Sequence, residues 1–310
     1  MTPDFIIGGA PKCGTTSLHK ILDQHPDVWM APNEVYFFDA DDPIAHGDFL
    51  GVNGTDLEWR DPTTEQVKAW YEARFSAAPE GAFIGEDTTT YLMSDVAPFR
   101  IKGLNPRVKI IFVLRDPVQR AFSQYWHLLR TGRTVLSFEA ALSAEPSIIL
   151  GSTYTPRLRQ FRAAMGSGNI HVVVFEAFNT DRQAQMHRIT DFLGLSRMSV
   201  ETEETWHNRT RYPKRLSSLQ RLNRLGRHLV PYRYARHLNR GASFKARTAH
   251  RAYRKWFHYV SERVLTQDVP PEGIRAKTRS YLSRHLSDRN AGLSDMLGFD
   301  LSDYWADFTS

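Results

Sequence analysis

Phe5-Ile6-Ile7-Gly8-Gly9-Ala10-Pro11-Lys12-Cys13-Gly14-Thr15-Thr16-Ser17 is the stretch on which the fold turns. Its first five residues form a short apolar run of the kind that fills a buried strand. A turn of Gly, Pro and Lys follows, and Leu18, Ile21 and Leu22 then recur at helical spacing, so the order is strand, tight loop, helix. A loop of this kind at a helix N-terminus offers free backbone N–H groups, the positive end of the helix dipole and hydroxyls to an anion. It is not the loop of a nucleotide triphosphatase, whose order G-x-x-x-x-G-K-[ST] places the lysine directly after the second glycine. Here Lys12 precedes Gly14 by two positions, and no Mg²⁺-binding carboxylate is obviously placed.

Outward from this loop, further strands are predicted over 28–30, 81–86, 109–114 and 169–175. Asp116-Pro117 opens a helix that runs to about residue 130, and an amphipathic helix over 180–193 ends at Gly194. Residues 40–63, rich in Asp, Gly and Pro, read as a loop. From about 205 the pattern turns helical, with an apolar stripe at Leu216, Leu219, Leu222 and Leu225 and two further helices over 251–265 and 274–286. Strands alternating with helices predict an α/β fold: a single P-loop-like domain with a central, mainly parallel sheet flanked by helices, and a helical, basic C-terminal part. Within 1–310 we assign 1–200 to an α/β nucleotide-binding core, 205–270 to a basic helical lid or insertion and 271–310 to C-terminal helices packing on the core.

An apolar share of 41% with 7 Trp, 12 Tyr and 18 Phe in 310 residues excludes a disordered chain. The single cysteine, Cys13, excludes an intrachain disulfide and fits a reducing compartment. Runs such as 110–114 and 172–175 are far too short to span a bilayer, and no signal-peptide pattern is present, so a cytoplasmic protein is expected. The net charge of +6 is unevenly spread: residues 209–255 hold 15 Lys/Arg and no Asp or Glu, which leaves 25 bases against 34 acids elsewhere. Such a segment suits an anionic ligand, an anionic polymer or a peripheral contact with an anionic membrane; a solvated helical face is the plainer reading.

The order Pro11-Lys12-x-Gly14-Thr15-Thr16-Ser17 is similar to the 5′-phosphosulfate loop of sulfotransferases that use 3′-phosphoadenosine 5′-phosphosulfate (PAPS). Val113-Leu114-Arg115-Asp116-Pro117, then Arg120, Ala121, Ser123 and Tyr125, resembles the family's 3′-phosphate motif. An arginine at a strand end and a serine on the following helix can hold one phosphate from two sides. The segment 282–290, with Leu293, Leu297-Gly298 and Trp305, resembles the C-terminal part of many bacterial members. His25-Pro26-Asp27-Val28 and Glu34-Val35-Tyr36-Phe37-Phe38 resemble the heparan sulfate branch, which carries carbohydrate acceptors.

The resemblance implies PAPS as sulfuryl donor with no metal, and a carbohydrate or glycolipid acceptor taking the sulfuryl group on a hydroxyl or amine. It implies donor contacts from Lys12, Cys13, Gly14, Thr15, Thr16, Ser17, Arg115 and Ser123, with Arg211 and Tyr212 as candidates to pair a phosphate and stack on the adenine. Glu34 would be the general base and Lys12 would assist the leaving oxygen. Two departures stand out. Tyr36 replaces a histidine of the Glu-Val-His-Phe-Phe pattern, and Asp87 replaces the lysine of Glu-Lys-Thr-Pro-x-Tyr, which weakens the case for a glycosaminoglycan acceptor. The rivals are a sulfotransferase for a lipid, phenolic or peptide hydroxyl and a non-catalytic nucleotide- or polyanion-binding module; nucleic acid is the less favoured partner.

Overall fold

A computed structural model describes residues 1–40, 42, 65–200, 212–229, 266–267, 273–306 and 308, with positions 248, 252, 255–256 and 259–260. Most of the 40–63 loop, residues 209–211 and 230–247 of the basic stretch and most of the 251–265 helix therefore lie outside the described residues.

Five strands, β1 (Phe5–Gly9), β2 (Val28–Met30), β3 (Phe83–Asp87), β4 (Lys109–Leu114) and β5 (Ile170–Val174), pair in the order β2-β3-β1-β4-β5, every pair parallel. All five residues of β1 are buried because the strand is central and covered on both faces. Gly8 is required there: a Cβ would stand 2.6 Å from the Phe112 ring of β4. The chain passes over β1 in going from β3 to β4, so the C-terminal ends of β1, β3 and β4 form the crevice where such sheets take ligands.

Helix α1 (Thr15–Leu22) begins at Gly14, which adopts φ 87°, a left-handed conformation that favours glycine. The helix predicted after β4 is α2 (Pro117–Arg130), opened by Pro117 and by the Asp116 side chain accepting from the Gln119 N–H at 2.7 Å. Its apolar face, including Val118, Ala121 and Leu129, builds a second core with Leu219 and with Leu282 and Leu286 of α3 (Ala276–Arg289). The main core lies around the sheet and takes in Leu293, Leu301 and Trp305 from the end of the chain. Leu216 and Leu225 of the predicted stripe stay exposed, whereas Leu219 is buried.

The element boundaries differ from expectation in identifiable ways. The strand predicted over 169–175 stops at Val174 because Phe175 begins a short helix, Phe175–Thr180. Asp181 then caps a second helix, Arg182–Leu193, by accepting from the Ala184 N–H, so the helix predicted from 180 begins two residues later. Helices at Ala97–Leu104, Phe138–Ala144, Pro146–Leu150 and Thr155–Met165 were not predicted.

The C-terminal motif supports the crevice through side chains. The Asn290 side-chain oxygen accepts from the N–H groups of Tyr154 (2.6 Å) and Thr155 (3.2 Å), the start of the Thr155–Met165 helix. The Tyr154 hydroxyl in turn donates to the Arg115 carbonyl at 2.8 Å. Trp305 Nε1 donates to Glu176, whose other oxygen accepts from the Asp116 N–H. Arg115 and Asp116 are thus held from behind by residues far along the chain.

Candidate active site

A cleft of about 1190 Å³ opens at the C-terminal ends of the strands. From the β1–β4 side it is lined by Pro11, Lys12, Thr15 and Thr16 of the loop and by His127, Arg130 and Arg133 on and just after α2. From the β2–β3 side it is lined by Glu34, Tyr36, Asp87 and Thr89.

The β1–β4 side is electropositive. Lys12 holds φ 73°, uncommon for a residue with a side chain. Its ammonium is pushed down to about 8, first by burial and then by Arg130, Arg120 and Arg115. A half-buried ammonium among guanidiniums is short of negative charge, which a phosphate group would supply. The helix that starts here adds unpaired donors: the first backbone bonds run from Ser17 and Leu18 to the Gly14 carbonyl, so the N–H groups of Gly14, Thr15 and Thr16 precede the ladder. His127 is held neutral by burial and by the cations Lys12, Arg133, Arg130 and Arg120. These residues fit a phosphate-bearing group.

Arg120 keeps the loop in place. Fully buried, it donates from Nε to the Pro11 carbonyl (3.0 Å) and from Nη1 to the carbonyls of Ser147 (2.8 Å) and Ile148 (3.1 Å). Gly151 makes room for it, since a Cβ there would lie 2.3–2.4 Å from the guanidinium. Arg115 donates to the Lys12 carbonyl at 3.4 Å and lies over the Phe175 ring at 5.0 Å.

On the β2–β3 side, Glu34 accepts at Oε1 from the N–H (3.1 Å) and hydroxyl (2.7 Å) of Thr89, and at Oε2 from the Tyr36 hydroxyl. Burial and then Asp87 push its carboxyl up, while the hydrogen bonds from Tyr36 and Thr89 pull it back. The segment carrying Glu34 hangs on a buried network. Glu86, fully buried at the end of β3, accepts from the hydroxyls of Thr88 (2.9 Å), Tyr91 (2.6 Å) and Tyr71 (2.5 Å). Thr88 Oγ1 accepts the N–H groups of Val35 and Tyr36 at 3.1 and 3.3 Å, and the Tyr91 hydroxyl accepts that of Phe37 at 3.1 Å. Tyr36 consequently holds φ 51°, a conformation that costs about 1–3 kcal/mol for a bulky residue. The Glu86-to-Tyr91 motif is therefore the support of the Glu34-to-Phe38 motif. Asp87 Oδ2 stands 3.4 Å from His19 Nδ1.

The structure brings Lys12, Thr15, Thr16 and Glu34 to one cleft. Cys13 is fully buried, with its N–H on the Ala10 carbonyl, its thiol on the Pro11 carbonyl at 3.8 Å and its ionisation pushed up to about 11 by burial. Gly14 and Ser17 shape the helix start, and Arg115 and Ser123 are not among the residues that line the cleft. Tyr212 packs its ring edge-on against Trp126 at 5.8 Å, and Arg211 lies outside the described residues. Among the described residues no group of three or more His, Cys, Asp or Glu is placed to hold a metal ion. Reasoning from sequence missed Arg130, Arg133 and Gly151; the arginines follow the 3′-phosphate-like motif by about two helical turns, a usable signal, whereas nothing local marks Gly151.

The fold and the cleft define a parallel α/β protein with a P-loop-like loop at a helix N-terminus that fits a phosphate-bearing group. A profile described as the sulfotransferase family matches residues 3–199, and the chain belongs to that family. Mouse heparan sulfate glucosamine 3-O-sulfotransferase 3A1 is 28% identical over 218 residues, which cover 67% of this chain and 50% of that protein. Human bifunctional heparan sulfate N-deacetylase/N-sulfotransferase 2 is 30% identical over 217 residues, 63% of this chain and 22% of that protein. The chain spans about half the length, or less, of these curated relatives. A solved sulfotransferase from Alicyclobacillus acidocaldarius shares the fold, with a TM-score of 0.61, 21% identity and coverage of 98% of this chain and 99% of that one.

Proposed function

We propose that this chain transfers a sulfuryl group from PAPS to a hydroxyl or amine of a carbohydrate or glycolipid acceptor, with Glu34 as general base and Lys12 as electrostatic catalyst. The observation that carries the reading is the meeting in one cleft of the Lys12 ammonium, lowered by burial and then by its arginine neighbours, and the Glu34 carboxyl, raised by burial and then by Asp87. PAPS, when bound, supplies an activated sulfuryl group on a phosphate leaving group. Gly14, Thr15 and Thr16 offer N–H groups and hydroxyls to its 5′ end, and Arg115 and Ser123 are assigned to its 3′-phosphate. Lys12 holds a positive charge where negative charge would build on a departing oxygen, the kind of preorganised stabilisation that dominates many rate enhancements. Glu34 takes the acceptor's proton, since a hydroxyl is a weak nucleophile until it is deprotonated.

Asp87 makes the acceptor end of the cleft anionic, which favours a neutral or amine-bearing sugar over a polyanion. No helix among the described residues is long and apolar enough to cross a membrane. Cytoplasmic placement, with the 209–255 segment resting on an anionic surface, belongs to the same proposal and is supported by charge alone. Thermal melts test the donor assignment. Adenosine 3′,5′-bisphosphate should raise the melting temperature, because a ligand of the native state stabilises it, and AMP should do so far less. Equal shifts would remove the 3′-phosphate assignment of Arg115 and Ser123.

A further inference from the structure

Glu34 has four lone-pair positions for a proton, two on each carboxylate oxygen. Both positions on Oε1 are taken, by the N–H and the hydroxyl of Thr89 at 3.1 and 2.7 Å. Oε2 carries one donor, the Tyr36 hydroxyl, and keeps one position. Tyr36 reaches it because Thr88 Oγ1 gathers the consecutive N–H groups of Val35 and Tyr36 and so turns the chain through φ 51°. Both Glu34 and Tyr36 line the cleft.

We propose that Tyr36 is a positioning residue: its hydroxyl reserves Oε2 of Glu34 for the acceptor's proton and holds that group as a carboxylate. The inference rests on the reading of Glu34 as the base. The proton leaves the acceptor heteroatom, lands on the remaining lone pair of Oε2 and makes Glu34 a neutral acid, while the phenol keeps its own proton throughout. Burial, Glu34 and Asp39 oppose a phenolate at Tyr36 and outweigh Arg133, which favours one, so the hydroxyl stays a donor.

Among the described residues, charged groups from several elements face the pair. Asp87 comes from the end of β3, with His19 of α1 beside it; Arg133, following α2, and Asp39, further along the Glu34 segment, act on Tyr36. Lys12 and His127 line the same cleft. Asp87 works against ionisation of Glu34, and Tyr36 is the first of the hydrogen-bond donors that work for it.

The test needs neither donor nor acceptor. In protein labelled with carboxyl-¹³C glutamate, the resonance lost in Glu34→Gln belongs to Glu34, and its midpoint is followed with pH. Tyr36→Phe removes only the hydroxyl, and the midpoint should rise by about one pH unit. Should Tyr36→Phe fail to fold, 3-fluorotyrosine at position 36 keeps the ring and strengthens the donor, and the midpoint should fall. An unmoved midpoint, or a shift of the opposite sign, overturns the proposal. Where turnover is measurable, the acid limb of its pH profile should follow the same displacement. A Tyr36→Phe enzyme as impaired as Glu34→Gln at every pH would make Tyr36 a proton relay and overturn the positioning role. Absence of any melt shift with adenosine 3′,5′-bisphosphate would instead remove the proposed donor and leave the titration result standing.

Discussion

Arg120 and Glu86 are both fully buried, and each holds one side of the cleft, but they do so with opposite charges. Arg120 gives hydrogen bonds to three backbone carbonyls and ties Pro11 of the loop to the Pro146–Leu150 helix. Glu86 takes hydrogen bonds from three hydroxyls and, through Thr88 and Tyr91, suspends the segment that carries Glu34. A guanidinium does not shed its charge, so Arg120 adds permanently to the field that lowers Lys12 and His127. A carboxyl can be neutralised, and burial pushes Glu86 from 4.5 up to about 7 despite its three donors. The β1–β4 side of the cleft, where the donor is proposed to bind, is built on a fixed charge and the β2–β3 side on a titratable one.

The contrast is broken most severely at the two groups proposed to react. Glu34→Gln should lower turnover by roughly a hundred- to ten-thousandfold while leaving the affinity for adenosine 3′,5′-bisphosphate nearly unchanged. Lys12→Ala should cost on the order of a hundredfold or more in turnover and should weaken that affinity as well. Steady-state kinetics beside calorimetric binding on both variants would separate the two sides; a loss of nucleotide affinity in Glu34→Gln equal to that in Lys12→Ala would erase the division.

A smaller effect is expected at the support of the donor side. Gly151→Ala places a methyl group within 2.3–2.4 Å of the Arg120 guanidinium. Overpacking of this kind costs about 1–3 kcal/mol, and displacement of Arg120 releases the Pro11 carbonyl. Melting temperature and nucleotide affinity should fall together. A destabilised variant that binds the nucleotide normally would show that Arg120 does not position the loop.

The smallest effect sharpens the comparison through pH. Because Glu86 binds its proton more tightly folded than unfolded, its contribution to stability is fully present below its unfolded value of about 4.5 and is lost as the pH rises through about 7. Glu86→Gln removes the titration, so the melting temperature of the variant should decline less than that of the wild type between these limits. Parallel melting curves across that interval would mean that Glu86 keeps one protonation state.

These two sides also differ in how far they could be read from sequence. The loop from Gly9 to Ser17 and the helix from Pro117 to Arg130 are contiguous, with Gly14, Asp116 and Pro117 marking the boundaries, and local chemistry was enough to place them. Helices beginning near Pro98, Pro146 and Pro156 carry the same start signal, a proline in the first turn, which was not used. The Glu34 segment was legible as a motif, but its support was not. The bonds from Val35, Tyr36 and Phe37 join positions 52 to 54 residues away, and no periodicity reports such a pairing. Asp181 was read as helix interior although it is the cap of Arg182–Leu193, and the short Phe175–Thr180 helix before it was not predicted. The replacement of histidine by Tyr36 was noticed, but its contact with Glu34 depends on a backbone turn that only the Thr88 hydroxyl explains.

Cys13, the one sulfhydryl in 310 residues, sits inside the phosphate loop, fully covered and pushed up to about 11. An alkylating reagent reaches a thiol in that condition only while the loop is open, since the thiolate is the reactive form and burial suppresses it. The rate of alkylation therefore clocks the breathing of one loop with no background from any other cysteine. A molecule that seats on the loop would slow that clock, so the protein carries its own built-in occupancy gauge.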